Sequence, residues 1–285
     1  MTEMRIEDFD LGTKPKWCPG CGDFAIWVAV RQALVELGIQ PHELVTTYGI
    51  GCHGHMSNML KCYGFESLHG REIPVAMGAK LANKSLNVIA VAGDGDCYGE
   101  GLNHLINAAR SNIDIALIVH NNMVYGLTTG QTSPTSEKGF KSKTTPLGVF
   151  DVPINPIALA ISAGATFVAR AYAGDVTHLK TMIAEAIRHK GFALVDVLQP
   201  CVTFNKINTY EFYQKRVYKL GAEHDESNKI KALEKAFEWG ERIPIGVFFR
   251  EERGTYENSF SMLDKPLYKQ DKASVNVGNL IEEFA

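Results

Sequence analysis

Asn87-Val88-Ile89-Ala90-Val91-Ala92-Gly93-Asp94-Gly95-Asp96 is the stretch from which the rest can be read. Residues 87–92 are rich in apolar and β-branched side chains and run straight into a glycine turn, the pattern of a buried strand. Gly99–Ser111 has the pattern of a helix, and Ile113–Val119 that of the next strand. A second polar turn, Asn121-Asn122, follows it. Strand, helix and strand in this order make a βαβ unit, so the sheet is expected to be parallel. Both turns then lie on the carboxyl-end edge, where α/β folds bind their ligands.

Outward from this unit, Asp23–Leu37 shows helical spacing and stops at Gly38. Leu44–Tyr48 is a short strand followed by Gly49-Ile50-Gly51. Pro74–Asn83 reads as a helix of small residues. Downstream, Thr128–Phe150 is a long polar loop, and long loops in compact domains are usually functional. Helices are expected at Ile157–Ser162, Val176–His189 and Lys229–Trp239, and strands at Thr166–Arg170 and Phe192–Leu198. After Cys201 the pattern weakens, and Thr255–Ala285 is polar and irregular. The expected fold is α/β, a mostly parallel sheet flanked by helices. Residues 1–235 are expected to form the ligand-binding domain and 236–285 a C-terminal extension packing on a partner.

The 285 residues suffice for a sizeable core, and a net charge of −3 leaves no nucleic-acid footprint. Met1–Leu11 is acidic and lacks the basic-then-apolar pattern of a signal peptide. No apolar run approaches the roughly 20 residues of a membrane span. The expectation is a cytoplasmic protein with no nucleic-acid or membrane partner.

The two polar turns suit a hard divalent cation. Asp94 offers a carboxylate oxygen, Asn122 an amide oxygen, and Val124 a backbone carbonyl. Mg²⁺ takes oxygen ligands and fills its shell with phosphate and water. Gly93 and Gly95 let the backbone approach a diphosphate, and the following helix presents free N–H groups. Gly-Asp-Gly alone is also a common turn. The spacing adds information, because Asn122 lies 28 residues past Asp94, one helix plus one strand. This pairing resembles the thiamine-diphosphate motif.

Six cysteines in a long chain without an export pattern point to metal or redox use rather than disulfides. Trp17-Cys18-Pro19-Gly20-Cys21 admits three readings. A thioredoxin-like pair normally follows a strand, and none precedes Trp17. A zinc site usually brings a second close pair, and Cys52 and Cys62 do not form one. A four-iron cluster can be completed by distant residues. Cys52 and Cys201 both follow strands, beside the expected diphosphate site. Cys62 and Cys97 look less well placed, and Cys97 reads as structural.

In combination these pieces resemble the β subunit of 2-oxoacid:ferredoxin oxidoreductases. The matching segments are Trp17–Gly22, Gly49–Cys52, Leu68-His69-Gly70-Arg71, Lys80–Asn83, Gly93–Asp96, Tyr125–Thr128 and Gly130–Thr135. The resemblance runs from about residue 15 to about residue 250. It implies a thiamine-diphosphate-binding fold, with one [4Fe-4S] cluster held by Cys18, Cys21, Cys52 and Cys201. It implies Mg²⁺ on Asp94, Asn122 and the Val124 carbonyl. Cofactor contacts would fall on Ile50, Gly51, Cys52, His53, His69, Gly95, Asp96, Gly126 and Leu127. His55, His69 and Arg71 are the catalytic candidates. His55 stands where relatives often carry Lys or Arg, facing the substrate, and would hold a distal carboxylate less firmly at neutral pH. Arg71 could supply that charge or pair with a phosphate. His53 and His55 also read as plain turn residues.

The implied activity is coenzyme A-dependent oxidative decarboxylation of a 2-oxoacid (2-oxoglutarate, pyruvate or a broad range). Electrons would leave singly through the cluster to ferredoxin. An α subunit would complete the active site and supply the glutamate that activates the aminopyrimidine, so the chain alone is expected to be inactive. Two alternatives stay open. One is a cluster-free thiamine-diphosphate decarboxylase or carboligase, and the other a zinc-stabilised interaction protein.

Overall fold

The computed structural model describes residues 4–270 and 277–284. Its elements run α1 (Asp23–Glu36), β1 (Leu44–Tyr48), β2 (Tyr63–Glu66), α2 (Glu72–Ala82), β3 (Asn87–Gly93), α3 (Leu102–Ser111) and β4 (Ala116–Asn121). A small hairpin follows, β5 (Val124–Tyr125) and β6 (Gln131–Thr132). Then come α4 (Pro156–Ala163), β7 (Phe167–Tyr172), α5 (Val176–Arg188), β8 (Ala193–Leu198), α6 (Tyr210–Gln214), β9 (Val217–Lys219), α7 (Lys229–Ala236) and β10 (Ile243–Arg250).

Eight strands form one sheet in the order β2-β1-β3-β4-β8-β7-β10-β9. The six from β2 to β7 are parallel, as the βαβ reading requires, and β10 runs antiparallel to β7. Side chains alternate across the sheet with period two. Ile89, Val91, Ile118, Val195 and Val197 face α1 and α5. Val88, Ala90, Ala92, Leu117 and Val119 face α2, α3, α4 and α7. Both faces are covered, which is why these strands read as continuous apolar runs. In α1, Ile26, Ala29, Val30, Ala33 and Leu34 are buried, the i, i+3, i+4, i+7 stripe of a core-facing helix. Asn155, Asp175 and Asn228 cap α4, α5 and α7 through their side-chain oxygens.

Two expectations need correction. The helix expected from Gly99 begins at Leu102, because Asp96–Glu100 is wound as a π-turn in which the Gly101 N–H donates to the Asp96 carbonyl at 2.8 Å. More importantly, Ile243–Arg250 falls within the expected C-terminal extension and instead forms β10, buried between β7 and β9. The main sheet therefore continues past residue 235. Pro244 and Gly246 disguise this strand. Pro244 is tolerated because the bonds to β9 are made by Ile243 and Ile245, and pairing with β7 begins only at Gly246, which takes φ +130° next to a bulge. Within the tail, 271–276 and 285 lie outside the described residues. The described remainder is mostly short 3-10 turns, anchored by buried Glu257, which accepts from the Asp114 N–H at 3.3 Å.

Candidate active site

The strands β1, β3, β4 and β8 are consecutive neighbours and all parallel. Their carboxyl ends therefore gather Gly49–Cys52, Gly93–Asp96, Asn121–Val124 and Gln199–Cys201 along one edge. All nine residues read as cofactor contacts line one cleft there, together with Asp94, Asn122 and Val124. The backbone approaches are close. A Cβ on Gly95 would lie 2.3 Å from the Tyr125 ring, and one on Gly49 would lie 1.5 Å from the Asp96 carboxylate. A larger surface groove of about 870 Å³ lies beside α5 and the end of β10, but none of the sequence-read residues line it.

The two aspartates of the turn sit in different environments. Asp94 is 1% exposed, and burial pushes its pKa up to about 6 despite hydrogen bonds from Ser133 and Thr135. Thr135 Oγ1 lies 2.7 Å from Asp94 Oδ2. What opposes burial here is hydrogen bonding rather than a cationic side chain, so the carboxylate suits a cation brought from outside. Burial also opposes the Asp96 charge, but His53, the Gly70 N–H and His69 outweigh it and hold the carboxyl below its ordinary range. Gly70 N donates to Asp96 Oδ1 at 2.7 Å and Ile50 N at 3.2 Å. His69 Nδ1 at 2.7 Å and His53 Nε2 at 3.3 Å also approach the carboxylate, but off the hydrogen-bonding direction. Glu72 is fully buried, and burial first, then the neighbouring Asp96 charge, push its pKa well up.

The cysteines converge beside this cleft. A Cβ on Gly126 would lie 3.4 Å from Cys52 Sγ, 3.9 Å from Cys201 Sγ and 3.8 Å from Asn122 Nδ2. The Cys18–Cys21 turn is tied to the same place by the Gly22 N–H, which donates to the Pro200 carbonyl at 3.2 Å, and by Gln199 Nε2, 3.2 Å from Cys21 Sγ. Trp17 Nε1 donates to the Cys52 carbonyl at 2.6 Å. Burial first, then Asp23, Cys201 and Cys18, push the Cys52 thiol up to about 12. Cys21 is pushed up further, by burial and by Asp23. Among the described residues, no three His, Cys, Asp or Glu side chains come together closely enough to hold a single ion. Cys62 bonds with Thr46 and Cys97 is buried, both apart from the cleft lining.

Of the three catalytic candidates, only His69 lines the cleft. His55 sits in a neighbouring recess with Lys14, Lys16 and Asn58. Arg71 is exposed, near His104. Several residues of the site carried no assigned role in the sequence. Ser133 and Thr135 come from the long polar loop, in the segment Gly130–Thr135 that carries part of the family resemblance, but nothing there tied them to Asp94. Tyr125 Oη donates to the Gly95 carbonyl at 3.0 Å. Asp23 and His120 form a buried pair 2.6 Å apart between Cys21 and His53.

Comparison with known proteins agrees with this geometry. Residues 46–197 match the family described as thiamine pyrophosphate enzyme, C-terminal TPP binding domain. Residues 201–265 match the family that describes the C-terminal part of the pyruvate ferredoxin oxidoreductase beta chain. Fold and cleft together define a thiamine-diphosphate enzyme subunit. The chain is 47% identical to the 2-oxoacid:ferredoxin oxidoreductase subunit beta of Saccharolobus solfataricus, over 94% of this chain and 95% of that one. It is 51% identical to the corresponding subunit of a Sulfolobus species, over 83% and 82%. A solved structure of 2-oxoglutarate:ferredoxin oxidoreductase from Magnetococcus marinus, with 2-oxoglutarate, coenzyme A and succinyl-CoA bound, superposes with a TM-score of 0.92. That match has 34% identity and covers 100% of this chain and 97% of the other. The chain belongs to the β subunits of the 2-oxoacid:ferredoxin oxidoreductases, and is thus one subunit of a multi-subunit oxidoreductase.

Proposed function

We propose that this chain holds thiamine diphosphate, Mg²⁺ and one [4Fe-4S] cluster. With its α subunit it would convert a 2-oxoacid and coenzyme A to acyl-CoA and CO₂, delivering electrons singly to ferredoxin. The observation that carries the reading is the meeting of Cys52, Cys201 and Asn122 around Gly126, at the mouth of the cleft that holds Asp94. The donor set supports each group. Asp94 and Asn122 are hard oxygen ligands, and a cation would relieve the buried Asp94 charge. Burial disfavours the thiolate at Cys21 and Cys52, and a metal centre, which deprotonates coordinating thiols, would offset that cost. Bound thiamine diphosphate supplies a carbon nucleophile and an electron sink.

The chain's own residues bind and orient. Gly95 lets the Tyr125 ring lie directly against the turn, Gly126 keeps the space between Cys52, Cys201 and Asn122 open, and Tyr125 fixes the Gly95 carbonyl. Asp96 holds His53 and His69 at the cleft wall. His55, with Lys14 and Lys16 around its recess, is our candidate for a second carboxylate on the substrate. The 2-oxoglutarate bound by the structural neighbour supports a dicarboxylic substrate. Among the described residues no helix is long and apolar enough to cross a membrane. We place the enzyme in the cytoplasm, where thiols stay reduced and available to iron. Exposed Tyr256, Met262 and Tyr268 support a partner contact for the C-terminal segment.

The test is anaerobic co-expression with the α subunit, followed by iron and thiamine-diphosphate analysis and a 2-oxoacid panel with coenzyme A and a viologen dye. Brown protein carrying both cofactors and reducing the dye is expected. Colourless protein that binds thiamine diphosphate, or protein that carries only zinc, would overturn the cluster. Turnover by the isolated chain would overturn the dependence on a partner.

A further inference from the structure

Asp196 lies in the middle of the sheet, on β8, and is fully buried. It is not among the residues lining the candidate cleft, yet it collects donors from three other elements. Tyr98 Oη donates to Asp196 Oδ1 at 2.9 Å and Asn121 Nδ2 to the same oxygen at 3.0 Å. Arg170 Nε, from the directly opposed residue of β7, donates to Oδ2 at 3.2 Å. Arg170, 2% exposed, has one guanidinium nitrogen with no partner, so Asp196 is its only acidic ion-pair partner among the described residues.

The network continues toward the cleft. Asn121 Oδ1 lies 3.0 Å from Thr135 Oγ1, which lies 2.7 Å from Asp94 Oδ2 and shares its one proton between the two acceptors. Tyr98 belongs to the π-turn that starts at Asp96, and Asn121 immediately precedes Asn122. Asp196 therefore ties the turn after β3 to the turn after β4. Every linking side chain is at most 2% exposed, so water cannot substitute for a lost partner. A buried ion pair is weak evidence for stability, because well-packed apolar residues often serve as well. Its placement here is better explained by what it holds.

We infer that Asp196 is a positioning residue, the brace that sets Asp94 and Asn122 at the spacing a small octahedral cation demands. This rests on the proposed Mg²⁺–diphosphate site. Mg²⁺ requires near-ideal geometry, whereas Ca²⁺ accepts larger and looser cages. Loosening the brace should cost Mg²⁺ more than Ca²⁺. A merely structural residue would not change that preference.

The experiment uses the αβ complex stripped of divalent ions. Binding of Mg²⁺ and Ca²⁺ at saturating thiamine diphosphate is measured by titration calorimetry in wild type, Tyr98→Phe and Asp196→Asn. Melting of the cofactor-free complexes serves as the control for folding. Tyr98→Phe should weaken Mg²⁺ roughly tenfold, the scale of one hydrogen bond to a charged group, and Asp196→Asn more. In both, the Mg²⁺-to-Ca²⁺ affinity ratio should fall. If either variant folds and keeps the wild-type Mg²⁺ affinity and ratio, the inference is overturned. If Asp196→Asn does not assemble, Tyr98→Phe decides alone. Wild type that binds no Mg²⁺ with thiamine diphosphate would instead sink the underlying site.

Discussion

Replacing Asp94 by Asn should stabilise the metal-free protein while abolishing the site, with a pH dependence fixed in sign. The Asp94 pKa rises from 3.8 to about 6 in the folded chain because burial disfavours its charge. A carboxyl with a raised folded pKa favours the folded state when protonated. As pH climbs from about 4 to about 6, the unfolded chain loses that proton first, and stability falls by about 3 kcal/mol in all. Above pH 6 the full penalty remains unless a cation offsets it. Asp94→Asn carries no charge at any pH, keeps the oxygen that Ser133 and Thr135 donate to, and escapes the penalty. Chelator-treated αβ complex should therefore melt at similar temperatures in wild type and variant near pH 4. At pH 7.5 the variant should melt roughly 5–10 °C higher, the scale of 3 kcal/mol in a domain of this size. Adding Mg²⁺ and thiamine diphosphate should reverse the order, because only wild type gains binding energy. Equal melting temperatures at pH 7.5, or a less stable metal-free variant, would refute the claim that Asp94 is an uncompensated buried charge.

Other consequences follow from the same geometry. Cys18→Ser, Cys21→Ser, Cys52→Ser and Cys201→Ser should each lose visible absorption and iron after anaerobic purification. Cys62→Ser and Cys97→Ser should keep both, and loss of iron in either would redraw the ligand set. Gly95→Ala forces a methyl to 2.3 Å from the Tyr125 ring and should abolish thiamine-diphosphate binding. Tyr125→Phe, which loses only the bond to the Gly95 carbonyl, should weaken binding by about fivefold, checked by equilibrium dialysis. Ser133→Ala and Thr135→Val each remove a donor that lowers the Asp94 pKa. Because a ligand must be deprotonated to bind metal, the pH of half-maximal Mg²⁺ binding should move up by about one unit, and an unchanged or lower value would count against their role.

Much of the site was legible from local pattern. Val88–Ala92 and Ile115–Val119 are apolar runs that parallel burial enforces, and the polar turns after them stand out against that background. The Cys-Pro-Gly-Cys turn and the two strand-end cysteines could be noticed singly. Strand β10 could not be read, since Pro244 and Gly246 break the strand pattern and only pairing with β7 and β9 makes sense of them. The segment holding Ser133 and Thr135 stood out as a motif, but its contact with Asp94 was not readable, because nothing local shows that the loop folds under that residue.

Periodicity and chirality, which act over a few residues, were enough to specify the βαβ unit and its parallel sense, and hence that Asp94 and Asn122 emerge at one edge. They did not reveal that His69 reaches the cleft while His55 and Arg71 stand outside it. Nor did they show that Cys201 comes next to Cys52 across a parallel sheet, or that Asp196 sits between Tyr98, Asn121 and Arg170. Those meetings depend on strand order and register, which long-range packing sets and no local stretch of the chain encodes.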